Sequence, residues 1–196
     1  MNILKFLNKE ENELIIYKSY KEGSTIHKEG DECSALSIVV DGSIKISSFT
    51  HIGNEIVYSV IKKDGVYGIN LLFSTQPFYK GDVIALEKTL IASINKKDLL
   101  HILKNNSLFL ENYLRIQSDF TKQLNFQIKL LSIEKANDRI LFFLESNNNY
   151  YSIETISLFA KQLGLQRETT SRAISHLIKK GMIEKNKNQL KIVKHN

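Results

Sequence analysis

Seven of the nine glycines of this chain, and its single proline, fall between Gly23 and Gly81, and no glycine or proline then interrupts the 196-residue sequence until Gly164. Glycine and proline are the residues that let a chain turn tightly, so the first part can reverse repeatedly and the next part cannot. Between the turns at Gly23, Gly30, Gly42, Gly53, Gly65, Gly68 and Gly81 lie short β-branched and aromatic runs, SALSIVV, SIKISSF, EIVYSVI and DVIALE. That spacing predicts a small all-β roll or barrel from Tyr20 to about Ile94. Gly30-Asp31, Asp41-Gly42 and Asp64-Gly65 are expected turn sites, each with its glycine at positive φ. A short helix is expected over Lys9 to Tyr17, ahead of the strands, and another over Lys96 to Lys104, behind them.

The uninterrupted stretch predicts one long helix from about Ser107. Leu110, Leu114, Gln117, Thr121, Leu124, Ile128 and Leu131 recur in alternating steps of four and three, and Phe109, Tyr113, Ile116 and Phe120 widen that stripe. One side can then meet a partner helix and the other the roll. A helix buried only against its own domain competes, because Gln117 and Thr121 put polar groups in the seam. The pattern changes near Glu134 to Asp138, an expected hinge, and Arg139 to Glu145 opens the last part of the chain.

Within that last part, Thr155 can cap a helix whose apolar residues Ile156, Phe159, Ala160 and Leu163 share one face, and Gly164 can end it at positive φ. A second helix follows within a few residues. Thr170, Ala173, Ile174 and Leu177 share its inner face; Glu168, Arg172, Ser175 and Lys179 share its outer one. Two short helices joined by a tight turn fit a helix-turn-helix whose second helix enters a DNA major groove. Arg can bond guanine O6 and N7 in a fork, and a Glu carboxylate can accept from cytosine N4, so Arg167, Glu168 and Arg172 form a base-reading set. An ordinary αα-hairpin with a solvated charged face fits the local pattern as well. Beyond it, MIEKNKNQLKIV reads as two strands around Asn186-Lys187-Asn188, and Asn147 to Asn149 as a loop tip.

Charge separates along the same line. From Lys135 onward there are 11 Lys and Arg against 5 Asp and Glu, and before it 16 against 16, so the net +6 lies wholly in the last third. Cationic excess confined to that segment favours a phosphate partner over a membrane surface, since no Trp and no aromatic-rich basic helix is present.

LFAKQLGLQRETTSRAISHLIKKGMIE resembles the helix-turn-helix signature of the Crp/Fnr transcription regulators, with Arg167-Glu168-Thr169 and Arg172 similar to the base-reading segment of the family's catabolite-activator branch. EGDECSALSIVVDGSIKIS and IKKDGVYGINLLF are similar to that family's cyclic-nucleotide-binding β-roll. The resemblance implies an α+β chain in three parts: an effector-type β-roll (double-stranded β-helix) over 1–105, a dimerisation helix over 106–134, and a winged helix-turn-helix over 135–196. It implies a homodimer on double-stranded DNA, RNA polymerase as a further partner, and a half-site similar to TGTGA. Thr155, Thr169, Lys179 and Lys187 are then expected on phosphate, and Gln166 and Ser171 complete the DNA-facing set. Gln166 departs from the family, which commonly has a capping Ser there.

The effector pocket departs further. Nucleotide-binding members hold the ribose with a Gly-Glu pair and the cyclic phosphate with a downstream Arg-Ser; the matching positions here are Gly68-Ile69 and Tyr79-Lys80. Ile69 replaces the acid and Tyr79 the Arg, and Lys80 is displaced by one position and lacks the bidentate fork. Losing the charged partner of a buried anion costs several kcal/mol, against ~8 kcal/mol for micromolar binding, so the sequence argues against cyclic AMP. Asn125 stands after Leu124 where such members contact the base. Two expectations stay open: a less anionic small molecule among Gly68, Ile69, Asn70, Tyr79, Lys80 and Asn125, or a vestigial pocket with constitutive DNA binding. A third, of another class, is a ligand-binding roll acting through protein contacts, with the helix-turn-helix only structural.

Enzymatic readings find no support. His27, His51, His101, His176 and His195 are scattered singly, and there is no Gly-x-Ser-x-Gly elbow, Walker loop or His-Glu-x-x-His helix. The single Cys33 cannot make an internal disulfide or hold zinc, and by the resemblance it excludes the branch with a cysteine-held cluster. No apolar run reaches the ~18 residues of a membrane span, and MNILKFLNKEENELI lacks the features of a secretory signal, so a soluble, cytoplasmic protein is expected.

Overall fold

The computed structural model describes residues 2–193; His195 lies outside them. The chain divides into two compact units, 1–119 and 120–196.

The first unit begins with a 3₁₀ turn, Ile3–Phe6, and the one-turn helix α1, Lys9–Asn12, which carries a reciprocal capping box between Asn8 and Glu11. The expected helix over Lys9 to Tyr17 is therefore too long. Ile16–Tyr20 is instead strand β1, paired in antiparallel register with the strand at Thr89–Asn95. A run of Leu, Ile, Ile and Tyr gains more as a sheet edge than as the continuation of a helix that Asn12 already ends by bonding back to Asn8 and Leu7.

The strands β2 (Thr25–His27), β3 (Ala35–Asp41), β4 (Ser43–Phe49), β5 (Glu55–Lys62), β6 (Val66–Tyr67), β7 (Asp82–Ala85) and β8 (Thr89–Asn95) complete the roll. They form two four-stranded sheets ordered β1-β8-β3-β6 and β2-β7-β4-β5, antiparallel throughout. Leu36, Ile38, Ile44, Val83, Ile91 and Ile94, drawn from both sheets, are fully or almost fully buried and make one core. At the β3–β4 turn Gly42 has φ +84°, and a side chain there would meet the Lys88 carbonyl at 2.6 Å. At Asp64-Gly65 the expectation fails in an instructive way. The positive φ of 66° falls on Asp64, and Gly65 is required for space, since a Cβ would lie 2.4 Å from Ile61 Cγ2.

Helix α2 (Lys96–Asn105) is capped by the Asn95 side chain, and α3 runs from Ser107 to Ser132. No glycine or proline separates them. Asn106 does so, accepting from Phe109 N through Oδ1 while its amide donates to the Phe6 carbonyl and to Glu11. Phe109 and Tyr113 of α3 are buried in the roll's core.

The second unit contains the rest of α3, then α4 (Ala136–Ser146), β9 (Tyr150–Ser152), α5 (Ile156–Leu163), α6 (Arg167–Lys179), β10 (Ile183–Asn186) and β11 (Gln189–Ile192). The strands form an antiparallel sheet ordered β10-β11-β9. Strand β9 has no counterpart among the sequence expectations. It follows the loop tip, where Asn148 and Asn149 take φ of 59° and 63°. Ile140, Phe143, Leu144, Phe159, Leu163, Ile174 and Leu177 form a separate core with Ile183 and Leu190. Among the described residues no helix is long and apolar enough to cross a membrane.

Candidate nucleic-acid interface

The Thr155 hydroxyl oxygen accepts from Leu158 N at 3.1 Å, capping α5, and Gly164 ends that helix in the left-handed region at φ 62°. After two intervening residues α6 begins. Gln166 gives no side-chain cap, but its carbonyl accepts both from Thr170 N and from the Thr170 hydroxyl, each at 3.0 Å. Thr170, Ala173, Ile174 and Leu177 are buried against α4 and α5, which fixes the rotation of α6 about its axis. That rotation leaves Arg167, Glu168, Ser171, Arg172 and Lys179 exposed and Thr169 half-buried. Arg167, Glu168, Ser171, Arg172 and Ile156 line one shallow concavity. Arg167 and Glu168 stand 3.7 Å apart with about two-thirds of each side chain in solvent, a loose pair that offers both groups to a partner.

Lys187 occupies the turn between β10 and β11 at φ 51°, with Lys191 paired to Glu184 at 3.2 Å on the strands behind it. Replacing Thr155 by Ala removes one cap bond and is expected to lower the unfolding free energy of this unit by about 1 kcal/mol in a urea titration. A loss below about 0.3 kcal/mol would mean that Leu158 N finds water instead.

The sequence reading passes over Arg139. On α4 it shares a face with Ile140, Phe143 and Leu144 and is only 8% exposed. Its Nε and Nη2 donate to the Ile133 carbonyl, Nη2 also to Leu131, and Nη1 to Leu163 and Gly164. A cation on the apolar face of a helix was the available signal.

The expected effector residues separate. Ile69 and Tyr79 are buried in the roll's core at 2% and 3% exposure, and Asn70 and Lys80 are exposed. Gly68, at φ +79°, backs onto Cys33 and the Ala35 carbonyl, where a Cβ would lie 3.0 and 2.8 Å away. The His27 ring stacks on Tyr79 at 4.5 Å, and burial pushes the Cys33 thiol and the Tyr79 hydroxyl up from their ordinary pKa values. The Ile69 carbonyl accepts from Gln117 Nε2 at 2.8 Å. Asn125 is an exposed residue of α3 in the second unit.

Of the expected dimer stripe, Leu114, Leu124, Ile128 and Leu131 are 53%, 49%, 67% and 52% exposed. Leu110 is half-buried, Gln117 turns to the roll, and Thr121 is exposed.

The fold is thus a β-roll, a long helix and a winged helix-turn-helix, in that chain order. The chain matches the cyclic nucleotide-binding domain family over residues 17–106. It is 24% identical over 169 residues to the anaerobic regulatory protein of Bacillus subtilis (strain 168), covering 81% of this chain and 71% of that protein. It is 24% identical over 171 residues to the cyclic AMP receptor protein of Thermus thermophilus, covering 84% and 77%. The structure of a CooA mutant from Carboxydothermus hydrogenoformans shares the fold, with a TM-score of 0.68 at 16% identity over 98% of this chain and 90% of that one. Over most of its length the chain is therefore similar to regulators of the Crp/Fnr type, and its residues 17–106 match their cyclic nucleotide-binding domain.

Proposed function

We propose that the chain is a sequence-specific DNA-binding transcription regulator that acts as a homodimer on a pseudo-palindrome, reading each half-site with α6. The observation that carries this is the division of α6: its inner face is spent on the core, and its outer face presents Arg167, Glu168, Ser171 and Arg172 with no core contact. Arg167, Glu168 and Arg172 read bases; Thr155, Thr169, Lys179 and Lys187 meet or attract phosphate. Each chain supplies one recognition helix, so half-sites lie about one helical turn, ~34 Å, apart. The exposed residues Leu114, Leu124, Ile128 and Leu131 of α3 supply the dimer seam, so α3, within the 106–134 segment, is the dimerisation element between roll and winged helix. An electrophoretic shift on DNA upstream of the chain's own coding sequence, competed with unrelated DNA, tests the reading. Equal competition by both would leave the helix-turn-helix a structural element and the roll a module for protein contacts.

The roll acts without cyclic AMP. Ile69 and Tyr79, at the positions where an acid and an Arg would hold the nucleotide, are part of the hydrophobic core, and Lys80 points away from it as an exposed point charge. Cyclic AMP titrated to millimolar concentration is expected to shift neither the melting temperature nor the DNA affinity. A binder at 100 times its Kd would add about 2.7 kcal/mol to stability, a shift that is easily seen. A saturating shift at micromolar nucleotide would show that backbone amides near Gly68 replace the missing charges.

A further inference from the structure

The guanidinium of Arg139 is buried, and among the described residues it has no carboxylate partner. Its charge is met by five hydrogen bonds to four backbone carbonyls, those of Leu131, Ile133, Leu163 and Gly164. Leu131 lies in the last turn of α3 and Ile133 just beyond it; Leu163 and Gly164 end α5. The carbonyls at a helix C-terminus lack intrahelical partners and form the negative end of its dipole, so one cation neutralises two helix ends at once. A second contact joins the same two ends. A Cβ on Gly164 would lie 2.5 Å from Leu131 Cδ2 and 3.7 Å from Arg139 Nη1, so the turn of the helix-turn-helix sits directly on the foot of α3.

Only two residues separate Gly164 from the start of α6. We propose that Arg139 is a positioning residue that locks the turn before the recognition helix to the foot of the long helix, so that the two recognition helices of a dimer are held at one separation. This rests on the DNA-reading dimer proposed above. Arg suits the task because its planar fork reaches several fixed acceptors, whereas the Lys ammonium is a single point charge on a flexible stem.

The test is a set of DNA probes with two unchanged half-sites whose spacer is native, or one or two base pairs longer or shorter. Each added base pair moves a half-site by about 3.4 Å and turns it by about 35°. The wild-type chain should lose at least ~10-fold in affinity per base pair of misplacement, since a typical mismatched contact costs that order. For Arg139→Gln the native probe should weaken about 10-fold and the spacing profile should flatten to within about 3-fold, while base preference within a half-site persists because Arg167 and Arg172 are untouched. Arg139→Lys should fall between them. A merely structural role lowers the folded fraction and scales every probe by one factor, so variants that keep the wild-type profile overturn the proposal. An Arg139→Lys chain that fails to fold by circular dichroism overturns it too. A wild-type chain with no spacing preference removes the DNA-reading dimer itself, and with it this role, which separates the two failures.

Discussion

Replacing Leu124 and Ile128 together by Glu is expected to turn the proposed dimer into a monomer and to weaken binding to a two-half-site DNA by about 100-fold or more, with little effect on the stability of either unit. The two side chains are 49% and 67% exposed in the single chain, so nothing in its own cores depends on them. In a dimer seam they would face the same residues of the partner across a two-fold axis. Four buried carboxylates would then replace four apolar side chains, and a buried unpaired charge is far costlier than a lost methylene. The DNA effect follows from linkage of two half-site interactions, where the second contact is made at a high effective concentration and adds ~10²- to 10⁴-fold. Sedimentation and a urea titration on the same variant separate the terms. A variant that remains dimeric would place the seam elsewhere, and one that unfolds would mean that α3 needs this face for its own packing.

The placement of these residues was legible because helical periodicity survives wherever one face is buried and the other is not. Phe109 and Tyr113 went to the roll, and Leu124 and Ile128 stay exposed, while Gln117 of the stripe turns to the roll. The same holds for α6, where Thr170, Ala173, Ile174 and Leu177 repeat at helical spacing and are buried. Boundaries set by one side chain were harder to read. The α2–α3 break depends on Asn106 capping in both directions, and α1 ends early because β1 is stabilised by pairing with β8, some seventy residues away in sequence. Long-range pairing has no local signature, and β9, paired only to β11 across the helix-turn-helix, escaped for that reason.

The pocket residues teach a different lesson. The loss of the anion partners at Ile69 and Tyr79 was visible as a substitution of residue type, yet the sequence left open whether the space held another ligand. In the structure both side chains are buried in the roll's core, with His27 stacked on Tyr79. An Arg in an amphipathic helix is normally solvated; the place of Arg139 on the apolar face of α4 is the one sequence sign to the contrary, and its carbonyl partners give the reason.

Replacing Arg172 by Ala is expected to cost ~1 to 3 kcal/mol on the preferred site and to relax choice at one base pair in each half-site. Arg172 is exposed on the outer face of α6, shares one concavity with Arg167 and Glu168, and is held there by a helix whose inner face is locked into the core. A guanidinium so placed can bond guanine O6 and N7 together, and its loss leaves those acceptors to water at that base pair alone. Lys187 differs because it sits, exposed, at the tip of the β10–β11 turn and not on α6. Lys187→Ala should therefore weaken all sequences alike and lower the slope of log affinity against log salt by about one, since one fewer counterion is released. The deciding measurement is a binding series over every single-base variant of a TGTGA-like half-site at fixed salt, for the wild type, Arg172→Ala and Lys187→Ala. Direct reading by α6 predicts a wild-type profile with sharp penalties at the guanines, an Arg172→Ala profile flattened at one position only, and a Lys187→Ala profile of unchanged shape. An Arg172→Ala chain that lost the same affinity at every variant would contradict it and leave the winged helix a non-specific clamp on DNA.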